Sequence, residues 1–366
     1  VKILKKGKYV SVKSSVMVNS SSTPGGKEVQ GEIVWLEMPE QEHFLKRNSL
    51  KNKVLFYFGP MPENLNVHKK IVNANPLAIV HIDDRVPFAW TKEDALYPYW
   101  VKCAGTPPTI TIPYSAAWEI KKNGVKNIKL RVDALHKRTK SANVIGEIRG
   151  NSPDAGIIVI TCHHDTQCNN QGADDNASGV VSVLFLARIM AKRNYRHTIR
   201  FLSCGTEEQL SPGSSSYVLS HKKELKNIAF ICNIDAISSV LGHTILGGAC
   251  TPRLGKEICK TFRRNGLPVR YNEEVTPFAD HFAFTVFGIP AIWIHRKSTA
   301  EGRWQHHSIH DNLKNVSADE IVKIIKATCA LLDALDKKYG RDFGGIPTKQ
   351  RIITRKYARD MYGIKI

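Results

Sequence analysis

In the second half of the chain, apolar positions form short continuous runs in place of alternation. Ile157–Cys162, Thr198–Cys204, Ile228–Asn233 and Ile289–Ile294 are runs of six or seven residues. Continuity over that length predicts strands buried on both faces, and hence a mostly parallel sheet. Between and after the runs, apolar residues recur at helical spacing across Asn176–Lys192, Ser214–Lys222, Thr251–Asn265 and Ala318–Lys338. The last of these opens on Ser317-Ala318-Asp319-Glu320, a capping box that marks a helix start. Strand and helix in alternation predict an α/β fold: a mixed, mostly parallel sheet flanked by helices.

The first third reads differently. Tyr9–Val12 and Ser15–Val18 alternate in the strand period, and the Ser/Pro/Gly-rich piece Asn19–Gly26 separates them from Gly31–Leu36. Lys53–Phe58 is a strand closed by Gly59-Pro60, a short helix is expected over His68–Asn73, and Asn75–Ile82 is a second buried strand. Thr106–Pro113 is extended, and its prolines confine it to a sheet edge. Trp118–Asn123 predicts a short helix, and Ile128–Val132 and Ala142–Ile148 two further strands. Residues 34–125 therefore read as a small β-rich inserted module without a cluster of potential ligands. Residues 1–33 are expected to belong with the strands beyond residue 125, as one discontinuous domain (1–33 and 126–340). A basic tail, 341–366, follows; from Lys337 onward nine Lys/Arg stand against two Asp, the composition of a docking arm or of a solvated end.

Composition narrows the classes. With 42% hydrophobic and 23% charged residues in 366, the chain can bury a sizeable core. Its longest mostly apolar stretch, Val180–Met190, is interrupted by Ser182 and Arg188, far short of the ~18 apolar residues of a membrane span, so no transmembrane segment is expected. A net charge of +20 raises nucleic acid as a partner. The basic residues are dispersed, however (Lys5, Lys6 and Lys8, then Lys121 to Lys140, then the tail), and no zinc-finger spacing, ribonucleoprotein motif or P-loop accompanies them. A solvated basic surface is the expectation, with no nucleic-acid partner. The eight cysteines include no C-x-x-C pair, and Cys162, Cys204 and Cys232 sit in apolar runs, where free cysteine acts as a small hydrophobe. That pattern favours a reducing, cytoplasmic setting. Because the chain opens on Val1 in place of Met, a mature or trimmed product is expected, with any leader segment out of view.

The chemistry gathers where the apolar runs stop. His163 and Asp165 follow the first run, Thr206-Glu207-Glu208 the second and Asp235 the third, and Trp304–Leu313 carries His306, His307, His310 and Asp311. In an open parallel sheet these positions are neighbours past the strands' carboxyl ends. An isolated Glu-Glu pair is ordinarily a solvated face, and an isolated Asp after a strand a helix cap. Imidazoles and carboxylates gathered at buried strand ends need compensation, and a metal ion supplies it.

With Gly172-Ala173-Asp174-Asp175-Asn176-Ala177-Ser178-Gly179, Asn233-Ile234-Asp235, Ala279-Asp280-His281 ahead of Gly288-Ile289-Pro290-Ala291, and His307-x-x-x-Asp311, the stretch from Ala142 to Leu335 resembles the dinuclear zinc aminopeptidases and carboxypeptidases of peptidase family M28. The resemblance implies a zinc-exopeptidase, phosphorylase/hydrolase-like fold and a peptide substrate. It implies two Zn2+ ions bridged by Asp175, with His163 and Asp235 completing one site and Glu208 and His307 the other. Glu207 would be the general base, and Asp165 and Asp311 would orient the ligands. The family spacing selects His163 over His164 and His307 over His306, leaving His164, His306 and His310 as surface or substrate-facing groups and Asp174 as structural. Ser211-Pro212-Gly213-Ser214 departs from the family's more glycine-rich stretch on the substrate side. Residues 34–125 are similar to an inserted protease-associated (PA) domain. The implied activity is exopeptidase, aminopeptidase first. A carboxypeptidase or dipeptidase would need a cationic anchor for the substrate carboxylate, for which Arg296 and Arg303 are candidates. A glutaminyl-cyclase-like acyltransferase with one zinc, or a receptor-like relative without catalysis, fits the complete ligand set less well. The family includes many exported enzymes, so a secreted or cell-surface location stays open beside the cytoplasm, as does the oligomeric state.

Overall fold

Alternating and continuous runs sort into two separate sheets in the computed structural model, which describes residues 1–5, 8–38, 45–85, 88–299 and 302–364. The chain divides into two compact units, Val1–Thr139 with Asp360–Ile364, and Lys140–Arg359.

The first unit contains strands β1 (Lys2–Lys5), β2 (Lys8–Ser11), β3 (Ser15–Val16), β4 (Val29–Leu36), β5 (Lys53–Phe58), β6 (Ala78–Asp83), β7 (Thr109–Pro113) and β8 (Asn127–Leu130), with helices α1 (Leu65–Asn73), α2 (Pro98–Ala104) and α3 (Tyr114–Lys122). The sheet order is β2-β1-β8-β4-β5-β6-β7-β3, parallel from β4 to β7 and antiparallel outside. One face buries Ile3, Ile33, Val54, Phe56, Val80 and Ile110; the other buries Leu55, Tyr57, Ile79 and, from α1, Val67 and Ile71. Here the structure differs from the expected division. Residues 1–33 do not join strands of the second sheet. Ile33 stands opposite Val54 and Ile3 opposite Ile128, so both lie in the core that β5 builds. The boundary therefore falls at Thr139/Lys140 and not at residues 34 and 126. Strand β7 is likewise not at the edge, because β3 pairs with it at Ser15↔Thr111 and Val16↔Ile110. Pro107 and Pro108 precede the strand and Pro113 ends it, so the N–H groups between them are free to pair.

The second unit's sheet holds β9 (Val144–Ile148), β10 (Ile157–His163), β11 (Thr198–Cys204), β12 (Ile228–Ile234), β13 (His243–Ala249), β14 (Val269–Glu273) and β15 (Ala291–Lys297), in the order β14-β13-β15-β12-β10-β11-β9. It is mixed and mostly parallel, as expected; β9 and β13 run antiparallel to β11 and β15. On one face Ile158, Ile160, Phe230 and Ile292 pack with residues of α4 (Ser178–Met190), α6 (Pro252–Arg264) and α8 (Ala318–Lys338), among them Leu186, Ile258, Phe262 and Leu332. On the other, Val159, Leu202 and Ile231 pack with α5 (Pro212–Ser220) and α7 (His281–Thr285) through Tyr217, Val218 and Phe284. Burial on both faces is why the central strands read as nearly continuous apolar runs.

Strands β1, β13 and β14, helices α2 and α7 and a helix in the tail were not expected. Gly247-Gly248 weakens the β13 pattern, yet a Cβ on Gly248 would lie 2.2 Å from the Tyr271 hydroxyl oxygen, so the bare backbone is what lets the β14 side chain close over it. The basic tail is a helix, α9 (Thr348–Tyr362), rather than a docking arm or solvated end. It buries Gln350, Thr354 and Ala358, and Gln350 Nε2 donates to the Gly248 carbonyl at 2.8 Å. Lys365 and Ile366 lie outside the described residues. Among the described residues no helix is long and apolar enough to cross a membrane.

Candidate metal centre

Strand β10 lies between β11 and β12, and its last residue, His163, stands opposite Cys204 at the end of β11. The segments leaving these strands are thereby brought together at the sheet's carboxyl edge. His163 Nε2 is 3.1 Å from Asp175 Oδ1, 3.4 Å from Asp235 Oδ1 and 3.9 Å from Glu207 Oε2. His307 Nε2 is 2.8 Å from Glu208 Oε2 and 3.7 Å from Asp175 Oδ2. Asp175 thus stands between two clusters and turns one oxygen toward each. The peptide bond that follows it, to Asn176, is cis.

Two further aspartates hold these residues in the same way. The Asp165 carboxylate accepts the backbone N–H groups of Glu207 (2.9 Å) and Glu208 (3.2 Å). The Asp311 carboxylate accepts those of Asp174 (2.6 Å) and Asp175 (3.0 Å). Each pinches two successive peptide groups and so fixes the side chains they carry. Asp174 is occupied structurally, accepting from Ser238 N and Oγ at 2.7 Å each and from Gln305 Nε2 at 3.1 Å. Asn176 Oδ1 accepts from Gly179 N and Ala236 N, and its Nδ2 donates to the Ile234 carbonyl, tying the entry to α4 onto the end of β12. Non-glycine residues with left-handed backbone cluster here: Thr206, Leu210 and Ser211 around the glutamates, Ala236 after Asp235, and His307 itself. Such conformations cost about 1 kcal/mol or more each and persist where surrounding contacts over-determine them.

The electrostatics are those of too many carboxylates in too little water. Burial pushes Glu207 well above the usual carboxylate range, with Asp280 and Asp235 adding to it. Asp280 and Asp311 are each pushed up to about 7, burial being the main cause. Asp175 goes the other way: burial would raise it, but the Arg303 guanidinium, with His163 and His307, holds it well below its ordinary value.

Three observations test whether a metal fits. First, His163 Nδ1 faces the Asp165 carbonyl at 3.1 Å. A carbonyl only accepts, so Nδ1 carries the hydrogen and the Nε2 lone pair points at Asp175 and Asp235; only a proton or a cation makes that arrangement favourable. Second, His163 Nε2, Glu208 Oε1 and Asp235 Oδ1 are buried without a hydrogen-bond partner among the described residues, at a site otherwise dense in hydrogen bonds. Third, two donor triplets form, His163-Asp175-Glu208 and Asp175-His306-His307, and within each the ligand atoms lie within 4.8 Å of one another. Imidazole nitrogen with carboxylate oxygen is a donor set that zinc accepts. The residues present fit the group.

His164 is exposed, with Nδ1 3.0 Å from Ser203 Oγ, and His310 lies beside Trp304 at 5.4 Å between rings. His306, expected at the surface or facing the substrate, stacks on His307 at 3.6 Å, and its Nε2 is 3.5 Å from Asp175 Oδ2. Arg296 is not offered to a substrate. Its guanidinium bonds Glu320 at 2.7 Å, the Ser239 carbonyl at 3.0 Å and the Gly242 carbonyl at 3.2 Å, because a buried cation must be fully paired. Arg303 reaches the centre but spends its charge inside it, with Nη2 2.6 Å from Asp175 Oδ2 and Nε 3.4 Å from Asp174 Oδ2. Gln305, Ser238 and Gln167, which donates to Glu208 Oε2 at 3.1 Å, escaped the sequence reading, since nothing in a serine or glutamine marks it as the partner of a remote carboxylate.

Residues 143–332 match the model of peptidase family M28. A probable leucine aminopeptidase 2 of Aspergillus oryzae is 24% identical over 260 residues, 62% of this chain and 50% of that protein. Aminopeptidase YwaD of Bacillus subtilis is 35% identical over 117 residues, 31% of this chain and 25% of that protein. The chain spans about half the length, or less, of the curated relatives it matches. The crystal structure of a zinc aminopeptidase from Bacillus subtilis superposes with a TM-score of 0.70 at 18% identity, covering 94% of this chain and 84% of that one. A peptidase M28 precursor from Shewanella amazonensis gives 0.72 at 16% identity over 94% and 82%, and at such identities the likeness is one of fold. The family match runs from the start of β9 into α8 and takes in every residue of the metal centre, and on that match the chain belongs to peptidase family M28.

Proposed function

We propose that the protein is a zinc-dependent exopeptidase, an aminopeptidase that uses two Zn2+ ions. The observation that carries the reading is Asp175, which turns Oδ1 toward His163 and Oδ2 toward His307. His163, Asp175 and Asp235 would hold one ion; Asp175, Glu208 and His307 would hold the other. When bound, zinc supplies a Lewis acid that polarises a carbonyl and acidifies water. Glu207 takes the proton from the attacking water and returns it to the leaving amine; it is buried, with Oε2 3.9 Å from His163 Nε2. Ser211 Oγ donates to Glu207 Oε1 at 3.1 Å and steadies the carboxylate that moves the proton. The names of the relatives, aminopeptidases and zinc metalloproteases, support the same reading. So do the engagement of Arg296 by Glu320 and two backbone carbonyls, which removes it as an anchor for a substrate's terminal carboxylate, and the pairing of Arg303 with Asp175 and Asp174. We read the first unit as a PA-like module, supported by the parallel run of β4 to β7 with α1 between β5 and β6. The eight unbonded cysteines support action in a reducing compartment.

The test is metal content together with a panel of peptides bearing free or blocked termini, read by mass spectrometry. Hydrolysis that needs a free N-terminus and tolerates a blocked C-terminus is expected. Glu207→Gln should lower kcat by ~10²–10⁴ while retaining zinc. Cleavage that instead tolerates N-acylation, or a protein that takes up no zinc, overturns the reading.

A further inference from the structure

The second unit's sheet ends on a strand with an open edge beside a row of cations. β14 is last in its sheet, paired with β13 on one side, and no strand pairs with its other side among the described residues. Such an edge is a template for another extended chain. Beside it runs α6, which connects β13 to β14 and lies antiparallel to both, since the two strands are parallel. Lys256, Lys260 and Arg264 fall at four-residue intervals on its exposed side, with Arg263 next to the last. These four and Tyr271 of β14 line a groove of about 690 Å³, and no carboxylate is among its walls. The one acid on α6, Glu257, is turned to Lys338 and Tyr339. Arg263 Nη2 reaches the Val269 carbonyl at 3.4 Å, and none of the four cations has a carboxylate partner among the described residues. Like charges four residues apart destabilise the helix that carries them, and an anionic occupant relieves that repulsion.

We propose that the groove between α6 and the free edge of β14 docks an extended acidic segment of another polypeptide, added to β14 as a further strand with its carboxylates toward α6. The spacings match. Four residues of α-helix rise about 6 Å, and side chains on one face of a strand recur every ~6.6 Å. Asp or Glu at every second position therefore meets Lys256, Lys260 and Arg264 in turn. Charge selects against a second copy of this chain, which would set the same cations against each other in a protein of net charge +20. The open edge selects against nucleic acid, because a sugar-phosphate backbone cannot pair with the alternating N–H and C=O groups of a strand. The groove contains no residue of the metal centre, and β13, β15 and β12 stand between β14 and β10. Docking there is a binding event separate from the proposed hydrolysis, and it does not depend on that reading.

The test is fluorescence anisotropy of a labelled peptide of alternating Glu and Val, blocked at both ends, titrated with the full-length protein. Chelator is present so that the metal centre does not contribute. One-to-one binding that weakens as salt rises is expected. Lys256→Gln, Lys260→Gln and Arg264→Gln combined should weaken it at least ~tenfold. Arg188→Gln, Lys192→Gln and Lys326→Gln combined remove the same charge from exposed positions outside the groove and should change it less than ~threefold. Circular dichroism checks that each variant is folded, and the single reversal Lys260→Glu, expected to weaken binding in the same direction, serves if the triple variant is not. Two further peptides keep the side chains but are N-methylated at every Val or at every Glu. Only alternate residues of an added strand face the edge, so at least one of the two should bind ~tenfold more weakly or worse. No binding by the wild type, undiminished binding by the groove variants, or parent-like binding of both methylated peptides overturns the proposal. So does an oligodeoxynucleotide of equal charge that displaces the peptide at equal concentration, which would mark the groove as a site for polyanions at large.

Discussion

At the residue scale, the centre depends less on its ligands than on the acceptors that aim them. Asp165 takes the N–H groups of Glu207 and Glu208 at 2.9 and 3.2 Å, while its own carbonyl takes the His163 Nδ1 hydrogen. One residue thereby sets a ligand of each proposed site together with the proposed base. Asp165→Asn puts an amide NH2 where one of the two acceptors stands, so one peptide N–H loses its partner. We predict zinc affinity ~10–100-fold lower with a stability cost of only about 1–2 kcal/mol, measured by chelator competition alongside thermal unfolding. Wild-type affinity in this variant would show that Asp165 does not orient the ligands. How far the sequence reveals such roles depends on chain separation. His163-x-Asp165 is legible because alternation on extended backbone puts both side chains on one side. The grip of Asp311 on Asp174, or of Arg303 on Asp175, spans 137 or 128 residues, and no local spacing encodes it. Arg303 and Arg296 stood out as cations, and only their surroundings revealed that both are consumed by internal acids.

At the scale of elements, what positions the proposed base is a contact between two backbones. The loop from Gly205 to Ser211 is clasped against the start of α5: Asn143 Nδ2 donates to the Gly213 carbonyl at 2.9 Å, and its Oδ1 accepts from Gly205 N at 3.1 Å. A Cβ on Gly213 would lie 2.1 Å from the Gly205 carbonyl oxygen and 2.8 Å from Asn143 Oδ1. Gly213→Ala must therefore separate the two segments. The expected cost is about 1–3 kcal/mol of stability, read by calorimetry, with a larger loss of zinc binding than that destabilisation accounts for, because Glu207 and Glu208 ride on the displaced loop. A variant with unchanged zinc affinity would mean that the loop is positioned by Asp165 alone. The same segment, Ser211 to Ser214, is where the chain departs from the more glycine-rich family pattern, and Gly213 is the glycine that close approach requires. A run such as Ile157–Cys162 was legible to within one residue, since burial on both faces leaves a nearly unbroken apolar signature. β13, β14 and α9 were not. Gly247 and Gly248 serve packing against Tyr271, and α9 is mostly polar, with its buried contacts made through small or polar residues such as Gln350, Thr354 and Ala358.

At the scale of the whole molecule, the division into units was the least legible feature, because β1, β3 and β4 carry strand patterns that fit either sheet. What assigns them is long-range pairing, Ile33 opposite Val54 and Ser15 opposite Thr111, and pairing partners are not written in periodicity. That assignment has a thermodynamic consequence in the first unit. His81, in β6, is wholly buried, with Nδ1 3.2 Å from the Gly59 carbonyl, and burial pushes its imidazole down to about 4 from the usual 6.5. Burial lowers His68 as well. Between pH 6.5 and 4 the unfolded chain binds a proton at His81 that the folded chain refuses, so stability falls as pH falls through this window. It is fully present above pH 6.5, and about 3 kcal/mol is lost by pH 4 if the shift is realised in full. His81→Asn keeps a donor for the Gly59 carbonyl and removes the titration. Its unfolding midpoint should be lower than wild type at pH 7, from the smaller side chain in the core, but should decline less between pH 7 and 4.5. Thermal unfolding of both proteins across that range, in the presence of chelator so that metal release does not contribute, separates the two effects. Parallel pH profiles would show that His81 is protonated in the folded unit or that the acid sensitivity resides elsewhere. A flatter profile in the variant would establish that the first unit carries its own acid limb, set by a histidine that takes no part in the metal centre.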